Sequence, residues 1–197
     1  HPQTEVLSRG KTTAAIKMMK EAMQTSYYHI STTNDVIGLE SAVALKNAYA
    51  LGIALTIGLV NRQHGAEAGL HYNSQAGAFY QATKEMTKLL RLQGADEDST
   101  VLGIGDLYVT VYGGRTRKIG ILLGEGKTYE EALDILAGVT LESLVVARRV
   151  AKAIYRKAEL GMVDLTDFPL MTHVNDVLDH GKDAELPWDS FTFDNTK

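Results

Sequence analysis

Two short segments of this chain carry side chains suited to proton chemistry beside a bound anion. The first is ALKN at residues 44–47, which places Lys46 inside an otherwise apolar helical run. The second is GDLYVTVYGGRTRK at residues 105–118, where an aspartate, a threonine and three basic residues surround a Gly-Gly turn. A charged group in apolar surroundings is costly unless another group uses or pairs it. Together the two segments predict a lysine acid or base close to a phosphate site.

Lys46 itself has two interpretations. On a helix, Glu40 and Asn47 belong to one stripe, and Lys46 lies beside it. In the functional interpretation, a dry cleft holds the lysine as an acid or base, with its pKa lowered by burial. In the structural interpretation, the side chain extends to the surface or pairs with Glu40. Spacing alone leaves both open.

Asp106 and Thr110 stand four residues apart, so they face the same way on a helix. They can hold a substrate hydroxyl and orient a lysine. They can equally form a solvated or capping pair, and the spacing does not separate these alternatives.

The three basic residues Arg115, Arg117 and Lys118 follow the glycine turn directly. A helix start offers free backbone N–H groups, and an arginine fork suits a phosphate. A cation at a helix N-terminus opposes the macrodipole unless an anion is present. This segment therefore favours anion binding over a merely solvated basic helix start.

Composition and motifs exclude several classes of function. The chain has 197 residues, no cysteine and a formal charge of −4, so thiolate chemistry is absent and a nucleic-acid surface is not expected. The segment GEGKT at residues 124–128 lacks the first glycine of a P-loop. The six histidines of the chain show no metal-ligand spacing. We therefore predict no metal site. No GxGxxG dinucleotide fingerprint occurs in the sequence.

Two observations bear on location. Residues 36–60 are nearly all apolar but contain Glu40 and Lys46, and they lack aromatic belts, so we predict a buried core helix and no transmembrane segment. The sequence begins at His1 without a basic-then-apolar leader. We expect a cytoplasmic protein that is either processed or a piece of a longer one.

The coarse pattern predicts one early strand and then helices throughout. Residues 12–24 favour a helix, and residues 26–31 favour a strand that has no partner in this chain. The later segments carry helix signals, among them the capping box at residues 128–131 and Pro169 at a first helical position. The predicted later helices cover residues 36–60, with Asn34 and Asp35 as candidate caps, and residues 74–92, 105–112, 116–124, 141–160 and 170–178.

Three separated segments resemble one known family. NDVIGLESAVALKNAYAL, GIGDLYVTVYGGRTRKIGILLGEGKTYEEAL and FPLMTHVNDVLDHGKD are similar to the C-terminal domain of NAD(P)-dependent glycerol-3-phosphate dehydrogenases. The resemblance implies a mainly α fold, an all-helical dehydrogenase domain of the 6-phosphogluconate-dehydrogenase C-terminal type. It also implies three segments: residues 1–34 as a helix–strand remnant of a Rossmann-type nucleotide-binding domain, residues 35–186 as the substrate domain, and residues 187–197 as a tail.

The implied reaction interconverts dihydroxyacetone phosphate and sn-glycerol 3-phosphate with NAD or NADP, a supply step for glycerophospholipid synthesis. The resemblance implies these roles: Lys46 as proton donor, Asp106 and Thr110 as the pair that orients lysine and substrate, Asn47 as a substrate contact, Arg115 and Thr116 at the substrate phosphate, and Arg115 and Glu142 near the cofactor. We also expect a homodimer with a phosphorylated small-molecule substrate. Because the fingerprint is missing, we expect this chain alone to be inactive.

The sequence departs from the family pattern at three places. Thr116 replaces an asparagine beside the phosphate, Ser143 follows Glu142 where the family has glycine, and Ala42-Val43 replaces a glycine pair before ALKN. These departures put affinity and exact substrate in question. Two alternatives stay open: a related dehydrogenase acting on another small oxo or hydroxy compound, and a helical interaction module without catalysis.

Overall fold

Helices form most of the computed structural model, which describes residues 3–6, 13–66, 69, 71–138 and 142–191. The fold is mainly α, as predicted. Two short 3-10 turns, Leu165–Asp167 and Trp188–Ser190, complete it. The strands and helices in chain order are β1 Gln3–Val6, α1 Thr13–Met23, β2 Ile30–Thr33, α2 Val36–His64, α3 Tyr72–Leu92, α4 Glu97–Tyr112, α5 Gly114–Gly124, α6 Tyr129–Ile135, α7 Glu142–Glu159 and α8 Pro169–His180.

Local capping signals set most helix ends. The Asp35 side chain accepts a hydrogen bond from the Gly38 N–H and so begins α2. Thr128 and Glu131 form the predicted reciprocal capping box of α6. Gly181 ends α8 in the left-handed region, at φ 62°, where a side chain is disfavoured.

Helix α2 is the centre of the domain. It packs against α3, α4, α5, α7 and α8, so side chains on all its faces are buried. This explains why its apolar residues show no helical stripe. Within the described residues α2 is the one helix long and apolar enough to cross a membrane, and 78% of its most apolar window is buried inside the protein.

Glycines bring α2 and α5 into very close contact. A Cβ built at Gly58 would lie 2.1 Å from the Ile121 carbonyl oxygen, and one at Gly124 would lie 2.3 Å from the Leu55 carbonyl oxygen. Neither backbone oxygen can move aside without distorting its helix. The two helices therefore hold a fixed register, which positions the start of α5 relative to the middle of α2.

A buried carboxyl group joins α3 to α8. Glu85 has no exposed surface, and its two oxygens accept hydrogen bonds from the N–H groups of Leu170 at 2.7 Å and Met171 at 3.0 Å. Gln81 donates a third hydrogen bond at 2.9 Å. These contacts satisfy the first N–H groups of α8, which have no partner within their own helix. Burial raises the pKa of Glu85 to about 7, against the lowering effect of these bonds.

The predicted isolated strand was wrong in position and in pairing. Residues 26–27 form a bend beside which the Thr25 hydroxyl oxygen accepts the N–H of Tyr28 at 3.0 Å, and the strand begins only at Ile30. It pairs in parallel with β1, with Gln3 opposite Ile30 and Val6 opposite Thr33. The hydrogen bonds of the Thr25 hydroxyl with the N–H groups of Tyr27 and Tyr28 favour a turn here over the strand that the two tyrosines would otherwise prefer.

Two helix starts also differ from the predictions. Helix α5 begins at Gly114, two residues before the predicted Thr116. Helix α4 begins at Glu97, capped by Asp96, and runs unbroken to Tyr112. Its first turn contains Glu97 and Asp98, whose negative charge at this end favours the helix.

Candidate active site

One cleft of about 470 Å³ lies where α2, α4 and the starts of α5 and α7 meet. It brings together side chains that are far apart in the sequence, and the glycine turn at Gly113 and Gly114 forms part of its wall. All the candidate site residues of the sequence analysis line this cleft: Lys46, Asn47, Asp106, Thr110, Arg115, Thr116 and Glu142. The structure therefore places them in one location, while their individual roles stay predictions.

Lys46 on α2 forms an ion pair with Asp106 on α4. The lysine side chain is 18% exposed and the aspartate 40%, so the pair is partly shielded from water. Pairing with Glu40, one of the structural alternatives, is not what the structure shows. An ammonium held by one carboxylate in a half-dry cleft keeps two N–H bonds for a ligand.

Thr110 lies one turn beyond Asp106 on α4. Its hydroxyl donates to the main-chain carbonyl oxygen of Asp106 at 2.7 Å, so its proton is engaged within the helix. The oxygen can still accept a hydrogen bond from a ligand hydroxyl. Among the described residues Lys46 donates to Asp106 and not to Thr110, so any effect of Thr110 on the lysine passes through the position of Asp106.

The start of α5 forms the other side of the cleft. Gly113 precedes it in an extended conformation, and Gly114 has φ 85°, a left-handed value that favours glycine. Because the residue at the N-cap is a glycine, no side chain caps the first N–H groups. Arg115 is exposed and Thr116 is half-buried at this end. Backbone N–H groups, a guanidinium and a hydroxyl together suit a phosphate group.

Ser143 lines the same cleft but was noted in the sequence only as a departure, not as a site residue. It lies in the first turn of α7 beside the exposed Glu142, and it is only 2% exposed. The signal that could have found it is its position directly after a predicted site residue at a helix start. No group of three or more histidine, aspartate or glutamate residues with metal-binding geometry occurs in the part of the chain that the structure describes.

Comparisons with known proteins identify the relatives of this chain. The family described as "NAD-dependent glycerol-3-phosphate dehydrogenase C-terminus" matches residues 35–188. The NADP(+)-dependent glycerol-3-phosphate dehydrogenase of Archaeoglobus fulgidus is 35% identical over 137 residues, which are 68% of this chain and 39% of that protein. The glycerol-3-phosphate dehydrogenase [NAD(P)+] of Bacillus cytotoxicus is 31% identical over 186 residues, 92% of this chain and 50% of that protein.

Solved structures show the same fold. The crystal structure of a glycerol-3-phosphate dehydrogenase from Coxiella burnetii matches with a TM-score of 0.72 and 23% identity, over 93% of this chain and 52% of that chain. At this level of identity the likeness concerns the fold. The chain thus spans about half the length of the curated relatives that it matches, or less.

Proposed function

The chain belongs to the family of NAD-dependent glycerol-3-phosphate dehydrogenase C-terminal domains, and on that premise we propose that it supplies the substrate cleft of such an enzyme. The reaction interconverts dihydroxyacetone phosphate and sn-glycerol 3-phosphate, with NAD(P) as the redox partner. The observation that carries this proposal is the shared cleft, in which a paired lysine faces the same space as an uncapped helix start with an arginine.

Reduction of a ketone needs a hydride at the carbonyl carbon and a proton at the carbonyl oxygen. Bound NAD(P)H would supply this hydride, and in the reverse direction NAD(P)⁺ would accept it. In the proposed mechanism the Lys46 ammonium donates the proton, while Asp106 holds the ammonium in place. In the reverse direction the neutral amine accepts the proton from the C2 hydroxyl, so the lysine is the base.

Binding of the phosphate fixes the carbonyl next to Lys46. The N–H groups of α5 and the Arg115 guanidinium hold the phosphate, with Thr116 as a further donor, and Asn47 contacts the substrate on the lysine side. Fixing one end of a small substrate turns proton transfer into a step between pre-positioned groups. The substrate class that fits is a short phosphorylated ketone or its alcohol.

The remaining parts of the proposal concern the whole enzyme. Arg115 and Glu142 are the cleft residues available to the cofactor, and NAD or NADP is held mainly by a nucleotide-binding domain of which residues 1–34 are the last part. Residues 35–186 form the substrate domain and residues 187–197 a tail.

Without a dinucleotide fingerprint, this chain alone has no dehydrogenase activity. The homodimer, the cytoplasmic location and the role in lipid synthesis stay predictions.

Steady-state kinetics of the full-length enzyme test the role of Lys46. Lys46→Ala should lower kcat for dihydroxyacetone phosphate by about 10²–10⁴-fold, the usual contribution of a general acid, and leave KM nearly unchanged. Lys152→Ala, which removes an exposed lysine of α7, is the matched control and should change neither constant. A Lys46→Ala enzyme with wild-type kcat would refute the proposed proton donor.

A further inference from the structure

Two helices, not one, begin at the substrate cleft. Gly113 and Gly114 at the start of α5 line it, and so do Glu142 and Ser143 in the first turn of α7. The N-terminus of a helix carries N–H groups without a partner in the helix and a partial positive charge. The proposed phosphate site uses the start of α5, and at the start of α7 only Glu142 has a proposed role, towards the cofactor, so no contact to the substrate is assigned there.

Ser143 supplies an independent sign that a ligand belongs there. Ser143 is only 2% exposed, and its hydroxyl has no hydrogen-bond partner among the residues that the structure describes. Leaving a buried hydroxyl without a partner is unfavourable, and native proteins rarely do so. A ligand in the cleft that accepts a hydrogen bond would satisfy it.

The surroundings select the kind of acceptor. Lys46 and Arg115 bring two positive charges to the cleft lining, and Asp106 is already paired with Lys46. Glu142 is exposed, so water screens its negative charge. A phosphate offers several negative oxygens in tetrahedral directions, so it can accept bonds from two helix starts at once, which a single carbonyl oxygen cannot.

We propose that the Ser143 hydroxyl is a second contact to the substrate phosphate, which is held between the starts of α5 and α7. This inference rests on the proposed function. It adds a binding residue from α7 and commits to the phosphate monoester of the substrate, as opposed to the diphosphate of the dinucleotide.

Isothermal titration calorimetry of the 197-residue chain with glycerol 3-phosphate tests it. Ser143→Ala should weaken binding roughly tenfold, the low end for a hydrogen bond to a charged group. Arg115→Ala should weaken it at least as much. Ser99→Ala is the matched control, because Ser99 is also a buried serine in the first turn of a helix but lies outside the cleft. The Ser99→Ala chain should bind glycerol 3-phosphate with the wild-type affinity.

Thermal unfolding without ligand separates binding from structure. Because the hydroxyl has no partner among the described residues of the ligand-free structure, Ser143→Ala should unfold at the wild-type temperature or above it. A clear loss of stability would show that the hydroxyl serves the fold, and would overturn the inference.

The other outcomes are also decisive. If Arg115→Ala weakens glycerol 3-phosphate binding and Ser143→Ala does not, the second contact is wrong and the proposed function stands. If, in the full-length enzyme, Ser143→Ala raises KM for NAD⁺ but not for glycerol 3-phosphate, the hydroxyl belongs to the dinucleotide and this inference fails. If the wild-type chain does not bind glycerol 3-phosphate, both the inference and the proposed function fail.

Discussion

Lys46 and Asp106 show what residue types can and cannot reveal. A lysine in an apolar helix and an aspartate near a glycine turn are both visible in the sequence. Their pairing is not, because 60 residues separate them and spacing rules reach only one or two helical turns. The local alternative, Glu40, is exposed instead. The chemistry could thus be predicted, but the partner of the lysine required the packing of α2 against α4.

Arg115 gives the sharpest prediction at this scale. Arg115→Ala in the full-length enzyme should raise KM for dihydroxyacetone phosphate by roughly ten- to a hundredfold, because it removes charge-assisted bonds worth about 1.5–3 kcal/mol. Folding should be little affected, since the side chain is exposed. Arg115→Lys should recover only part of the loss, because an ammonium cannot form the two-pronged contact.

The matched control for Arg115 is Arg91→Ala, which removes an exposed arginine from α3, away from the cleft. Its KM should equal that of the wild type. An Arg115→Ala enzyme with an unchanged KM would mean that the phosphate binds elsewhere.

At the scale of elements, the packing of α2 against α5 controls the site. Gly124→Ala would place a methyl group 2.3 Å from the Leu55 carbonyl oxygen and 2.9 Å from the Gly58 Cα, so it should destabilise the fold by about 1–3 kcal/mol or more. It should also weaken glycerol 3-phosphate binding, because α5 carries Arg115. Urea unfolding and calorimetry measure the two effects.

Gly105→Ala is the control for this prediction. Gly105 lies inside α4 with no atom within 4 Å of a built Cβ. The substitution should stabilise the chain by about 0.5–1 kcal/mol, the usual gain from glycine to alanine in a helix. If Gly105→Ala and Gly124→Ala change the stability of the chain equally, the effect of Gly124→Ala comes from helix propensity and not from close packing.

Glu85 links α3 to α8 and predicts a pH dependence of stability. The pKa of Glu85 is about 7 in the folded state and 4.5 in an ordinary exposed setting. Between these pH values Glu85 is therefore protonated in the folded state and ionised in the unfolded state. The stability that this group contributes is therefore present below about pH 4.5 and is lost as the pH rises to about 7. The change is on the order of 3 kcal/mol at most.

Urea unfolding at pH 5 and pH 8 measures this effect. Glu85→Gln cannot ionise, so the difference in stability between the two pH values should be smaller in this variant than in the wild type. Glu130→Gln, which changes an exposed residue of α6, should keep the wild-type difference. If Glu85→Gln also keeps it, another group causes the pH dependence.

Burial of Glu85 could not be predicted from the sequence. The segment around it, ATKEMTK, reads as an ordinary amphipathic helix with a solvated acidic face. Only the approach of α8 explains why a carboxyl group lies there, since it caps the first N–H groups of that helix. The same reason applies to β1, whose pairing with β2 joins residues on either side of α1 and has no local signal.

For the whole molecule, helix caps and the apolar core run were sufficient to predict a mainly α fold. Asp35, the capping box at Thr128 and Pro169 mark helix starts by local hydrogen bonding and backbone geometry, so they are readable without tertiary contacts. The central position of α2 followed from its length and apolar composition. The lining of the cleft could be predicted only in part from the sequence. The place of Ser143 at the start of α7 depends on how the helices pack.

A crystal structure of this chain with bound glycerol 3-phosphate is the most direct test of the account. We predict the phosphate at the start of α5, with its oxygens about 3 Å from the Arg115 guanidinium nitrogens and backbone N–H groups, and the C2 hydroxyl at hydrogen-bond distance from the Lys46 ammonium. A phosphate bound outside the cleft would contradict the account. So would a ligand in the cleft whose hydroxyls point away from Lys46.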